Sequence, residues 1–251
     1  MADRKTRLLQ RLDDIGASLA RTGHGLALIG LGSVGAELDR LDDYSDLDFF
    51  AIVKDGHKQA FIDNLDWLAT YPIAFSFQNT RDGYKLLYAD GIFCEMAVFE
   101  SYELAQIPFA QGRFIWKDES FDGSLTAPQV KLPRPKSAEF LLGEALTNLY
   151  VGLGRYHRGE KLSAARFIQG YAVDRLVELA EQVETAQPAY KDVFTPERRF
   201  EARFPGVAAY LPQFVQGYER SVESARAILD YLDQHFEVNP AIKTAILNLT
   251  A

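Results

Sequence analysis

Apolar side chains recur with two different periods along this chain of 251 residues, and the change falls near its middle. In the opening segment Leu8, Leu12, Ile15 and Leu19 return every three or four positions, which predicts an amphipathic helix that Gly23 and Gly25 bring to an end. Six runs follow, at 26–30, 46–53, 73–77, 84–89, 92–99 and 113–117. They are short, rich in aromatic and β-branched residues and bounded by Gly, Pro, Asn or Asp, as strands are. Between the second and third, 57–69 reads as a helix, and Asp90-Gly91 predicts a hairpin joining the fourth and fifth. Beyond Ser137 the period is helical throughout. Leu142, Leu146, Leu149 and Leu153 make one stripe, Ile168, Ala172, Leu176, Leu179 and Val183 a second, and Tyr218, Val222, Ala225, Leu229, Leu232 and Phe236 a third. Ser137 and Ser163 are the expected N-caps, and a shorter helix is expected at 240–248. Pro128, Pro133 and Pro135 stand in a stretch with little periodicity. The expected plan is therefore α+β: a sheet domain at 1–120, a proline-rich linker at 121–136 and an antiparallel helical bundle at 137–251.

Composition narrows the partners. With 47% hydrophobic and 25% charged residues the chain can build a core, and 27 Lys plus Arg against 35 Asp plus Glu give a net charge of -8. That sign disfavours bulk nucleic-acid binding, and no basic track suited to a polynucleotide polymerase is visible. A single cysteine, Cys94, excludes an internal disulfide and a cysteine-rich metal centre. The first residues carry no apolar leader core, and no stretch approaches the roughly 18 apolar residues of a membrane span, so a cytoplasmic location is expected.

Residues 26–53 carry the most chemistry, and two readings compete there. Gly30, Gly32 and Gly35 follow a strand with the G-x-G-x-x-G spacing of dinucleotide-binding turns, and Asp55 lies where a ribose-binding acid could fall. Only eleven residues, 36–46, separate Gly35 from the next strand, and they are too acidic to pack as the crossover helix which that motif needs. The second reading is nucleotidyl transfer. Gly32-Ser33, twelve residues, then Asp46-Leu47-Asp48 at the head of an apolar strand puts two carboxylates two positions apart, on one face. Such a pair repels itself unless a cation sits between, and Mg²⁺ favours oxygen ligands shared with phosphates. A Gly32-Ser33 turn entering a short helix would let backbone N–H groups and the Ser33 hydroxyl approach a triphosphate. Ser33 could equally cap that helix.

The pattern G-S-x12-D-x-D between two strands resembles the signature of the DNA polymerase beta-like nucleotidyltransferase superfamily, and Tyr44-Ser45-Asp46-Leu47-Asp48-Phe49 resembles its small bacterial members. The two-part plan is similar to aminoglycoside and lincosamide nucleotidyltransferases, enzymes of antibiotic resistance. By motif the resemblance covers roughly the first 120 residues, and for the helical half it is architectural. It implies a mixed sheet with flanking helices and a third carboxylate on a later strand, as metal ligand, general base or both. The best match is Glu95, an acid inside the apolar run 92–99. Asp90 and Glu100 are its rivals, at strand ends where turn chemistry explains them.

Other constellations are weaker. His24, His57, His157 and His235 lack zinc-site spacing, there is no serine-nucleophile or P-loop motif, and Cys94 is expected to be packed. Arg155, Arg158, Lys161 and Arg166 surround the turn between the first two helices of the second half, where they could serve phosphates or a solvated corner. The expectation is a Mg²⁺-dependent transferase of a nucleoside monophosphate, AMP from ATP, to a hydroxyl of a small acceptor. Asp46, Asp48 and Glu95 serve as metal and catalytic residues, and Gly32 and Ser33 hold the nucleotide. AMPylation of a partner protein and a nucleotide-binding domain without activity are the alternatives. The acids at Glu37, Asp39, Asp42, Asp43, Asp46 and Asp48 would mildly favour a cationic acceptor.

Overall fold

The computed structural model describes residues 3–128, 135–192 and 194–251. The chain divides into two compact units, Met1–Pro133 and Arg134–Ala251.

The first unit opens with α1 (Arg4–Arg21), capped by the Asp3 carboxylate, which accepts from the Thr6 N–H at 2.7 Å. Its stripe of Leu8, Leu12, Ile15 and Leu19 is fully buried, each side chain worth about 1.5–3 kcal/mol of apolar burial. Six strands follow: β1 (Gly25–Leu31), β2 (Leu47–Val53), β3 (Ile73–Thr80), β4 (Gly83–Tyr88), β5 (Phe93–Glu100) and β6 (Arg113–Lys117). They form one mixed sheet in the order β3-β4-β5-β2-β1-β6, in which β2 and β5 are parallel and every other pair is antiparallel. Alternation along the central strands sorts the residues by face. Leu47, Phe49, Ala51 and Val53 of β2, with Cys94, Met96 and Val98 of β5, join the core that also holds the α1 stripe. The opposite face is apolar at one end only, where Ala27, Ile29, Ile52 and Phe99 are covered by Leu104, Phe109 and Phe121. At its other end that face carries Asp48 and Glu95.

Several sequence expectations change here. The helix expected at 57–69 is α2 (Lys58–Asp63) followed by a separate 3-10 turn at Asp66–Leu68, because the Asn64 side chain takes the Asp66 N–H at 2.8 Å and draws the backbone out of the helix. The start of the expected linker is packed. Phe121 is buried, Leu125 leans on the same cluster, and the Thr126 carbonyl accepts from Gly112 N–H at 2.9 Å. Residues 129–134 of that linker lie outside the described residues.

Lys58 ties three connections of this unit together. Its ammonium lies 2.7 Å from Asp82 in the β3–β4 turn and 2.7 and 2.9 Å from the two Glu103 oxygens after β5, over the Phe99 ring. Burial works against the ionised Asp82 but is outweighed by the hydrogen bond and charge of Lys58, so the carboxyl titrates below its ordinary value. Burial likewise opposes the Lys58 charge and is outweighed by Asp82 and Glu103, so the ammonium titrates above its ordinary value. A depressed acid stabilises the fold above its unfolded pKa and loses that contribution as pH falls through the folded one. Lys58→Met is therefore expected to cost roughly 2 kcal/mol at pH 7 and distinctly less below about pH 4, measured by urea unfolding at both pH values.

The second unit is helical. Ser137 caps α3 (Ala138–His157) as expected, accepting from Phe140 N–H at 3.2 Å, and Leu146, Leu149 and Leu153 are buried with Leu141 and Ala145. Next come α4 (Lys161–Ala165), a π-helical segment (Arg166–Ala172) and α5 (Val173–Val183), continuous in sequence. Ser163 is internal to α4, and its hydroxyl accepts from Arg155 instead of capping. Three one-turn helices, α6 (Phe200–Arg203), α7 (Pro205–Ala208) and α8 (Leu211–Phe214), are additions to the expected set; they bring Phe200, Phe204 and Phe214 into the core. The last two are α9 (Ser221–His235) and α10 (Pro240–Leu249), and α3 touches both as well as α4 and α5. Among the described residues no helix is long and apolar enough to cross a membrane.

Candidate active site

The strand register brings two of the three expected carboxylates, Asp48 and Glu95, to one edge of one sheet face. Asp46 immediately precedes β2 and Asp48 is its second residue. Asp48 is in register with Leu31 of β1 on one side and with Glu95 of β5 on the other. In a parallel pair, registered residues share a face, so Asp48 and Glu95 stand on neighbouring strands about 4.8 Å apart. Antiparallel pairing extends the row: Glu95 faces Lys85 of β4, and Lys85 faces Phe77 of β3.

The Glu95 side chain is 44% exposed and has a partner on each carboxylate oxygen. The Lys85 ammonium lies 3.1 Å from its Oε2, and the Asn79 amide donates to its Oε1 at 2.9 Å. Both partners come from outside β5, and neither was singled out from the sequence. The hairpin could have found Lys85: the loop is three residues, 89–91, closed by Tyr88 N–H to the Ile92 carbonyl at 2.9 Å, and this length sets Lys85 against Glu95. A two-residue Asp90-Gly91 loop would set Lys85 against Met96, on the other face.

The glycine turn closes over the head of β2. After β1 the chain makes a single 3-10 turn, Gly32–Val34, and a second at Leu38–Arg40, in place of the expected short helix. Leu31 stands at the cap position, so buried Ser33 is inside the turn and does not cap it. Gly32 has φ +52, and a Cβ there would meet Asp48 Oδ2 at 3.6 Å and the Arg40 guanidinium at 3.4 Å. A Cβ on Gly35 would fall 2.6 Å from the Gly30 carbonyl oxygen and 2.8 Å from Leu31 backbone. The turn folds back directly on β1, and Arg113 of β6 fixes it by donating to the Val34 carbonyl at 3.1 Å. These contacts account for the glycine spacing, and antiparallel β1 and β2 remove the parallel crossover that a dinucleotide turn requires.

In the acidic run before β2, Glu37 and Asp42 have partners. Glu37 is buried against Arg40 at 2.5 Å. Asp42 accepts from Tyr44 N–H at 2.8 Å and from the Ser45 hydroxyl at 3.1 Å; the Tyr44 bond foremost holds its carboxyl below the ordinary value. The rivals of Glu95 have structural work too. Asp90 binds Arg11 at 3.0 Å, and Arg11 is itself sandwiched by Tyr71 and Tyr88. Glu100 accepts from Gly56 N–H at 2.7 Å. Cys94 is fully buried beside Glu95, and burial, with the charges of Asp48 and Asp46, pushes its thiol up. His24 and His57, distant in sequence, stack with ring centroids 3.9 Å apart, a pairing that spacing alone does not show.

In the helical unit Arg155 binds Ser163 and covers Phe167, Arg158 pairs with Glu160 at 3.0 Å and Lys161 with Glu219 at 2.8 Å. A cavity of about 410 Å³ in the same unit, lined by Tyr210, Glu223, Asp230 and Tyr231 among others, contains none of the candidate site residues named from the sequence.

Among the described residues no group of three or more His, Cys, Asp or Glu side chains is arranged to hold a metal ion. Mg²⁺, however, commonly takes one or two carboxylates and completes its shell with phosphate oxygens and water. Both oxygens of Glu95 have partners of their own, Lys85 and Asn79.

No family model matches this chain, and no curated protein matches it. Among solved structures it is similar to an aminoglycoside 6-adenyltransferase from Bacillus subtilis, at 13% identity over 96% of this chain and 97% of that one, with a TM-score of 0.36. It is also similar to the Bradyrhizobium diazoefficiens CD-NTase CdnG, solved in complex with GTP, at 16% identity over 98% and 91% of the two chains, with a TM-score of 0.29. Both are nucleotidyltransferase-fold proteins.

Proposed function

We propose that this chain is a nucleotidyltransferase that moves AMP from ATP to a hydroxyl of a small acceptor such as an aminoglycoside or a lincosamide. The observation that carries the reading is the register: Asp48 stands beside Glu95 on adjacent parallel strands, on the face where the Gly32 turn reaches the Asp48 carboxylate. Asp46 and Asp48 would hold Mg²⁺ with the phosphates, and when bound it supplies positive charge against the triphosphate. Gly32 admits the phosphates close to the backbone, and Ser33 presents its hydroxyl and N–H from the turn. Glu95 accepts the hydrogen bond of the acceptor hydroxyl and takes its proton as the oxygen bonds to the α-phosphorus and pyrophosphate leaves. Arg40, beside Gly32, adds a cation next to the phosphates.

Pyrophosphate release from MgATP, measured against a panel of aminoglycosides and lincosamides with MgGTP in parallel, tests the reading. Acceptor-dependent release with a mass gain of 329 Da on the acceptor, about that of one AMP unit, is the expected result. Absence of turnover together with absence of MgATP binding by calorimetry refutes it.

A further inference from the structure

β3 stands at one end of the sheet, and among the described residues it has β4 on one side and no strand on the other. Its eight residues, Ile73–Thr80, carry no charge, in a chain of which 25% is charged. Ala74, Ser76 and Gln78 are exposed, and Phe75 and Phe77 are each 56% exposed, so both faces of the strand are open. A sheet edge offers N–H and C=O groups to any further strand, and natural sheets guard it with charge or cover. The other end of this sheet follows that rule: β6 begins with Arg113 and ends with Lys117, is half-buried from Arg113 to Trp116, and lies against α1. The β3 edge has neither protection.

We propose that β3 pairs antiparallel with β3 of a second copy of this chain, about a two-fold axis at Ser76, joining the two sheets into one. In that register the strand is its own complement. Opposite residues of an antiparallel pair share a face, so Phe75 meets Phe77 of the partner subunit and Phe77 meets Phe75 of the partner subunit. These are two aromatic pairs, and no charge falls opposite a like charge along the strand. A foreign strand would have to supply this pattern, whereas a second copy already carries it. Register breaks between Ile73 and Phe75 and between Gln78 and Thr80 confine the regular run to Phe75–Gln78, and the β6 edge is charged. Pairing therefore closes at two chains and does not extend into a fibre. Phe77 already ends the registered row of Asp48, Glu95 and Lys85, so the dimer would set the partner's Phe75 next in that row. The contact is small, one strand edge with two half-exposed rings from each chain, and a dissociation constant in the micromolar range is expected.

Sedimentation equilibrium of the full chain over roughly 1–100 µM reads the association. The expected mass rises with concentration to twice the 28.2 kDa of one chain. Ser76→Lys puts two ammonium groups opposite each other at the axis, on the face away from Phe75 and Phe77, and is expected to hold the protein at the mass of one chain with an unchanged circular dichroism spectrum. Ser76→Cys tests the register. The chain's own Cys94 is buried, so mild oxidation is expected to link two chains through the new thiols, and to do so at least tenfold faster than in Gln78→Cys, whose thiol would face Ala74 of the partner subunit. A single-chain mass at every concentration, an assembly larger than two chains, or a dimer that Ser76→Lys leaves intact overturns the proposal. Equal rates of linkage in the two cysteine variants overturn it as well.

Discussion

Asp48→Asn is expected to lower kcat/KM for nucleotidyl transfer about 10³-fold, a loss of roughly 4 kcal/mol of transition-state stabilisation, while the nucleotide-free protein unfolds within about 2 °C of the unaltered one. The substitution keeps the shape of the side chain at the second position of β2 and removes only its charge. Nothing in the apolar core is touched, because Asp48 lies on the face opposite Leu47 and Phe49. The diagnostic quantity is stabilisation by ligand. MgATP at 100 times its Kd adds about 2.7 kcal/mol to a protein that binds it only when folded, and Asp48→Asn should remove most of that increment. Asp46→Asn should behave in the same way if the two carboxylates share one cation. An equal melting-temperature rise in MgATP for all three proteins would show that neither aspartate serves the nucleotide.

How far the sequence led to this site depends on the range of the interactions. Features set by neighbours along the chain were readable: the α1 stripe from Leu8 to Leu19, the Ser137 cap, and the six strands, of which Arg113–Lys117 falls on the expected run. The Asp46-Leu47-Asp48 wording could be read because alternation in a strand is a local rule. Pairing of β2 with β5 could not, since more than forty residues separate Asp48 from Glu95 and nothing local states that these strands are parallel neighbours. The Lys85 contact turned on a single residue of loop length, at 89–91. Ser163 was misplaced for a related reason: a serine near a helix start favours capping, but Arg155 from α3 claims its hydroxyl. The helix expected at 57–69 failed because Asn64 offered the backbone a competing side-chain partner, which periodicity of apolar residues does not register.

The two glycines of the turn are expected to separate folding from phosphate binding. Gly35→Ala should cost roughly 3 kcal/mol of stability, since its methyl group would meet the Gly30 carbonyl oxygen at 2.6 Å and Leu31 backbone at 2.8 Å, where no side chain can swing aside. To make room, the turn must lift from β1, which also strains the Arg113 bond to the Val34 carbonyl. Gly32→Ala meets no such obstruction. Its cost is the left-handed φ of +52, about 1 kcal/mol for alanine, and its methyl would stand 3.6 Å from Asp48 Oδ2 in the space through which phosphates must approach. Gly32→Ala should therefore raise KM for MgATP by about tenfold with a small drop in melting temperature. Gly35→Ala should lower the melting temperature by several degrees in the presence and absence of nucleotide alike. Urea unfolding paired with steady-state kinetics on the two variants checks both. If Gly32→Ala left KM unchanged, the turn would be a packing device only, and the phosphates would have to be held from elsewhere.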